Sequence, residues 1–133
     1  MKINRQYLYR ALFGLYILAV CILCFIKPDS IPSKGFDWFG LPADKVGHFL
    51  MFLPFPVLSY LLFYEGQRKI THEVLILTAI LSLGVGLAFG TEQLQAMTQY
   101  RSSDIMDVYS DMTGLAAGCI AAIILIIIKR HRK

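Results

Sequence analysis

Glu92 to Asp111 reads EQLQAMTQYRSSDIMDVYSD, and the rest of the chain is arranged around it. The stretch holds one arginine, Arg101, and four carboxylates, Glu92, Asp104, Asp107 and Asp111. Apolar runs flank it, from about Val74 to Gly90 on one side and from about Met112 to Ile128 on the other. Runs of about 17–25 apolar residues are long enough to span the hydrocarbon core of a bilayer as a helix. An acid at the centre of such a helix costs roughly 2.5–3.5 kcal/mol on insertion scales, so buried acids there pair, face a wet cavity or do chemistry. The stretch therefore reads as half of a polar site at one membrane face. The other half is Asp44-Lys45-x-x-His48.

Two more apolar blocks precede it. The first runs from about Tyr7 to Ile26, which at 1.5 Å per residue covers about 30 Å. Lys27-Pro28 ends it, because proline cannot continue regular helical bonding. Met1 to Arg10 is basic and leads into this run as in a signal peptide. The run closes on Cys24-Phe25-Ile26-Lys27-Pro28 without a small-x-small cleavage site, so a retained helix is expected. The second block runs from about Val46 to Tyr64 and contains Pro54 and Pro56, which predict a kink or a widened turn. Between these blocks lies a loop with the aromatic centre Phe36-Asp37-Trp38-Phe39, suited to the headgroup region. Gly86-x-x-x-Gly90 and Gly114-x-x-x-Gly118 offer two faces for close helix approach.

Composition agrees. Of 133 residues, 56% are hydrophobic and 17% charged, against about 45–50% and about 25% in soluble domains. Mean hydropathy is +0.58. The net charge of +4 does not mark a nucleic-acid binder, because the basic residues flank the apolar blocks. The expected fold is an all-α integral membrane four-helix bundle with kinked, glycine-faced helices. It forms a single domain over residues 1–133, with spans at about 7–26, 46–64, 74–90 and 108–128. Cys21, Cys24 and Cys119 all lie in apolar blocks and read as packing residues; no disulfide framework or zinc pair is completed.

Four spans place both termini on one side. Lys2, Arg5, Arg10, Arg68, Lys69, Lys129, Arg130, Arg132 and Lys133 fall on that side; Lys27, Lys34, Lys45 and Arg101 fall on the other. The positive-inside rule assigns the first group to the cytoplasm. The polar site then faces outward from the cell (plasma or inner) membrane. No phosphate-binding glycine-rich loop is present, and soluble ATP is not the expected substrate.

The up-down order brings the start of the second span, the end of the third and the start of the fourth to one face. His48, Glu92, Arg101 and the row Asp104, Asp107, Asp111 should converge there, with Asp44, Lys45 and Gln95 beside them. His48 titrates near neutrality and suits a general base or nucleophile. Glu92 suits a general acid or a group that orients His48. Arg101 offers a planar fork for phosphate or carboxylate. Asp104 and Asp107 suit acid–base roles or anchoring of Arg101. Plainer roles stand beside these. Asp104 and Asp107 can cap a helix start, Arg101 can be a structural ion-pair partner, and His48 can bond a neighbour. Gln93, Gln99 and Lys45 can be interfacial polar residues. Asp111 lies deepest and needs a partner. His48, Glu92 and the aspartates match no metal signature, and no cofactor is expected.

The order Asp44-Lys45-x-x-His48-Phe49, Glu92-x-x-Gln95, Arg101, Asp107 and Asp111-x-x-Gly114-x-x-x-Gly118 resembles the VanZ-like family over residues 44–118. Asp111 stands where that family more often has Asn, which adds a charge. The resemblance implies a link to teicoplanin resistance and to membrane proteins that act on lipid head groups. Three functions follow. The first is an enzyme, a head-group hydrolase or transferase acting on a membrane lipid or lipid-linked envelope precursor at the outer leaflet. The catalytic set would be His48, Glu92, Asp107 and Asp104, and the substrate-binding set Arg101, Asp44, Lys45, Gln95 and Asp111. The second is a non-catalytic binder of lipid, precursor or lipoglycopeptide antibiotic. The third is an assembly protein whose polar cluster holds helices together. The bilayer is the expected environment, with no nucleic-acid partner.

Overall fold

The computed structural model describes residues 4–25, 37–38, 40–66, 68–98 and 104–131. Helix α1 covers Arg5–Phe25, α2 Ala43–Phe52, α3 Phe55–Leu62, α4 Ile70–Ala96 and α5 Ile105–His131. Ahead of α2, β1 (Asp37–Trp38) pairs antiparallel with β2 (Leu41–Pro42) across a tight turn. Gly40 takes φ +81 in that turn, a conformation glycine adopts without steric cost. The architecture is an all-α bundle, and α1, α2–α3, α4 and α5 are each long and apolar enough to cross a membrane.

The second span is two helices in series. Leu53 and Pro54 interrupt it while keeping helical backbone angles. Pro54 and Pro56 lack the N–H groups that would bond the carbonyls of Leu50 and Phe52. Between those two, the Met51 carbonyl accepts the Tyr16 hydroxyl of α1 at 2.7 Å. Breaks of this kind persist in a membrane when a neighbouring element satisfies the backbone.

Helix α5 is the centre of the bundle. It packs on α2, α3 and α4, and most extensively on α2. Leu115 and Ala122 on α5 are fully buried, against a core that includes Phe52, Phe55, Tyr60 and Ala88. The Gly114-x-x-x-Gly118 face is the seam. A Cβ on Gly114 would strike the carbonyl oxygen of Phe49, and one on Gly118 would strike that of Leu53 and the ring of Pro56. The other expected glycine face is corrected. A Cβ at Gly86 or Gly90 would meet nothing within 4 Å; Gly84 is the close approach on α4, where a Cβ would come 2.5 Å from Leu115 Cδ1. Gly86 and Gly90 sit four apart where no other described residue approaches within 4 Å of their Cβ positions, so their spacing alone did not mark contact.

Helix α4 exceeds its expected span at both ends, starting at Ile70 rather than Val74 and running to Ala96 rather than Gly90. Glu, Gln, Leu and Ala are good helix formers, and polarity at the membrane edge does not end a helix. Glu73, expected in a polar loop, lies instead in the first turn of α4, only 3% exposed, and accepts the Tyr60 hydroxyl at 3.3 Å. At that same end the Lys129 ammonium rests 3.6 Å from the centre of the Tyr64 ring, and Gln6 Nε2 donates to the Leu62 carbonyl at 2.5 Å. Helix α1 is peripheral. It packs mainly on α3, and Cys24 is its one buried residue.

Candidate functional site

The seam at Gly114 brings α2 and α5 close enough for their polar residues to mesh. Lys45 and His48 are one turn apart on α2. Asp104, Asp107 and Asp111 run along the facing side of α5, following the i, i+3, i+7 repeat of a helix face. Lys45 Nζ contacts Asp104 Oδ2 at 2.5 Å, Asp44 Oδ2 at 3.3 Å and also Asp107 Oδ1. His48 lies between two acids. Its Nδ1 is 2.9 Å from Asp111 Oδ1, and its Nε2 is 3.5 Å from Asp107 Oδ2.

Exposure falls steadily along this chain of contacts. The side chains of Asp44 and Asp104 are 48% and 44% exposed, those of Lys45 and Asp107 19% and 15%, that of His48 5% and that of Asp111 0%. The cluster is thus a line of titratable groups leading from the surface at one end of the bundle into its interior. A carboxylate on the inner nitrogen of a histidine fixes ring orientation and tautomer, leaving proton exchange to the outer nitrogen.

Glu92 joins from α4. Its Oε1 accepts the backbone N–H of Asp104 at 2.6 Å. That N–H belongs to the orphan donors at a helix start, where a carboxylate also opposes the positive end of the dipole. Asp104 caps the same turn, its Oδ1 accepting the Met106 N–H at 2.9 Å. The Lys45 ammonium and this N–H together hold the Asp104 carboxyl below the usual carboxylate range. Glu92 Oε2 and Asp111 Oδ2 are buried and have no hydrogen-bond partner among the described residues. Gln95 is buried one turn beyond Glu92 on the same helix. Glu92 also borders a cleft between α4 and α5 of about 470 Å³, together with Met97, Ile105 and Val108.

Of the expected site residues, Asp44, Lys45, His48, Glu92, Asp104, Asp107 and Asp111 meet in one cluster, and Gln95 lies beside it. Arg101, Gln99 and the side chains of the aromatic loop centre lie outside the described residues. Lys45 differs most from its plain reading as an interfacial residue, because it is the hub that joins three acids. The signal was available in sequence, since Lys45 and His48 are three apart and share a helix face. The Glu73–Tyr60 pair at the far end was missed. Its signal is an acid at the edge of an apolar block with a tyrosine inside the preceding span. Cys21, Cys24 and Cys119 form no disulfide among the described residues, and Cys24 Sγ lies 3.9 Å from Met51 Sδ.

A family model described as VanZ/LLP1 matches residues 13–128. The chain is also similar to the uncharacterized protein C11E3.10 of Schizosaccharomyces pombe, 30% identical over 90 residues that make up 68% of this chain and 50% of that protein. The chain thus spans about half the length of this curated relative. No solved structure matches.

Proposed function

The chain belongs to the VanZ/LLP1 family, and from that premise we propose that its single four-span domain acts on the polar head of a membrane lipid or lipid-linked envelope precursor. The site faces the extracytoplasmic side of the cell membrane, with both termini cytoplasmic. One observation carries the reading: His48, buried near one end of a bundle of membrane-length helices, lies between Asp111 on Nδ1 and Asp107 near Nε2. Buried acids in an apolar bundle are too costly to be retained without a partner or a task.

In this reading Asp111 holds the imidazole, and Nε2 takes a proton from the attacking hydroxyl or water and returns it to the leaving group. Asp107, near Nε2, stabilises the imidazolium while it holds that proton. Lys45 and Arg101 bind the head-group phosphate, Arg101 with its planar fork and Lys45 as a point charge. Glu92 and Asp104 position the start of α5, whose remaining N–H groups suit an anion. Asp44 and Gln95 border the head group.

The experiment is incubation of the purified protein with lipid extract, comparing wild type with His48→Ala. Loss of general acid–base catalysis lowers turnover by about 100-fold or more. Equal turnover in the two proteins removes His48 from the chemistry. A second reading, the non-catalytic binder of lipid, precursor or lipoglycopeptide antibiotic, draws on one observation: Lys45 is already engaged by three acids. It expects no turnover on long incubation and lipid retention that survives His48→Ala.

A further inference from the structure

Helix α1 packs on α3 and touches α4 only slightly, which leaves a lengthwise groove of about 220 Å³ between α1 and α4. Ile17 and Cys21 form one wall, Leu87 and Leu94 the other, and Phe52 and Phe55 the floor. Two hydroxyls lie on its surface, and both are engaged within the protein. Tyr16 donates to the Met51 carbonyl, and Thr91 donates to the carbonyls of Leu87 and Ala88 at 2.9 and 3.1 Å. Among the described residues, the groove therefore offers no unsatisfied hydroxyl to water or to a peptide backbone. Its walls belong to two of the four spans, so it opens sideways at hydrocarbon depth. Along α4 its lining residues Thr91 and Leu94 are next in sequence to Glu92 and Gln95, and on α2 its floor residue Phe52 lies one helical turn from His48.

We propose that this groove seats one acyl chain of a membrane lipid whose head group lies at the Lys45–His48 cluster. The proposal rests on the head-group reading above and narrows it. The ligand is an acyl lipid drawn laterally from the leaflet, not a water-soluble anion that enters from the aqueous face. The α1–α4 gap is the lateral entry, and Phe52 and Phe55 set how deep the chain sits.

The test uses the full chain in vesicles of phosphatidylcholine and phosphatidylglycerol, with a trace of either lipid carrying a diazirine midway along one acyl chain. After irradiation, adducts are mapped by mass spectrometry. Labelling at Cys21, Leu87 and Leu94 several-fold above that at Ile120 and Ile124 supports the proposal; the latter two are exposed residues of α5. Cys21→Trp should bring groove labelling down to the α5 level, and Leu87→Trp provides a second filling variant. Equal labelling of both faces means ordinary annular lipid and overturns the proposal. Groove labelling below the α5 level, with a dimer mass in detergent, means that a second copy fills the groove and also overturns it. Enriched labelling that is unchanged by Lys45→Ala and by the choice of head group keeps the chain groove and removes the head-group reading. Loss of enrichment while lipid turnover still depends on His48 removes the groove alone.

Discussion

Asp111 is the fully buried acid of the cluster, and substitutions there separate its charge from its contact with His48. Asp111→Asn keeps an oxygen for His48 Nδ1 and removes a buried charge, so thermal stability in detergent should hold or rise. Asp111→Ala strands the imidazole and should cost about 1–3 kcal/mol, the penalty for an unmet buried donor. Equal melting of the two variants would show that the His48 contact contributes nothing. Asp104 gives a prediction in pH. Its folded carboxyl titrates below its ordinary value of about 3.9 because of Lys45 and the Met106 N–H. Its stabilising effect is therefore fully present above that ordinary value and is lost as pH falls through the lower folded one. The stability gap between wild type and Asp104→Asn should be constant from neutral pH to about pH 5 and close in more acid buffer. A gap that persists at low pH would assign Asp104 an uncharged capping role only. At this scale the sequence marked the acids and His48 clearly, because charge inside an apolar run has few explanations. It under-read Lys45, since a lysine at a helix start is ordinary until the facing helix is known.

Among the helices, the contrast between glycines is the sharpest test. Gly114→Ala pushes a methyl into the Phe49 carbonyl and should cost about 1–3 kcal/mol by overpacking. It should also part His48 from Asp111. Gly86→Ala meets open space and should be neutral or stabilise by up to about 1 kcal/mol through helix propensity. Melting curves of the two variants in detergent decide it, and a reversed order would refute the seam. The four spans were legible because hydropathy is blocky, and the Gly114–Gly118 face because it continues the Asp111 repeat. The ends of α4 were not, because helix continuation past the apolar run depends on Tyr60 covering Glu73 and on the Asp104 N–H meeting Glu92. Nor was the bare side of Gly86, since a small-residue spacing does not say which neighbour is there.

For the whole molecule, the charge asymmetry predicts that both ends lie in the cytoplasm. A fluorescent protein fused after Lys133 should fold and fluoresce, whereas a periplasmic alkaline phosphatase at the same place should stay inactive. The opposite pattern would turn the polar cluster inward and with it the choice of substrate. The two buried acids of α4 carry a further consequence. Glu73 and Glu92 stand at opposite ends of one helix, and the rise from residue 73 to residue 92 is about 28 Å at 1.5 Å per residue. A typical hydrocarbon layer is about 30 Å thick. The protein thereby carries its own gauge: in vesicles built from progressively longer or shorter fatty acids, its resistance to heat should peak at one thickness and decline on either side, sorting it among membranes by their width.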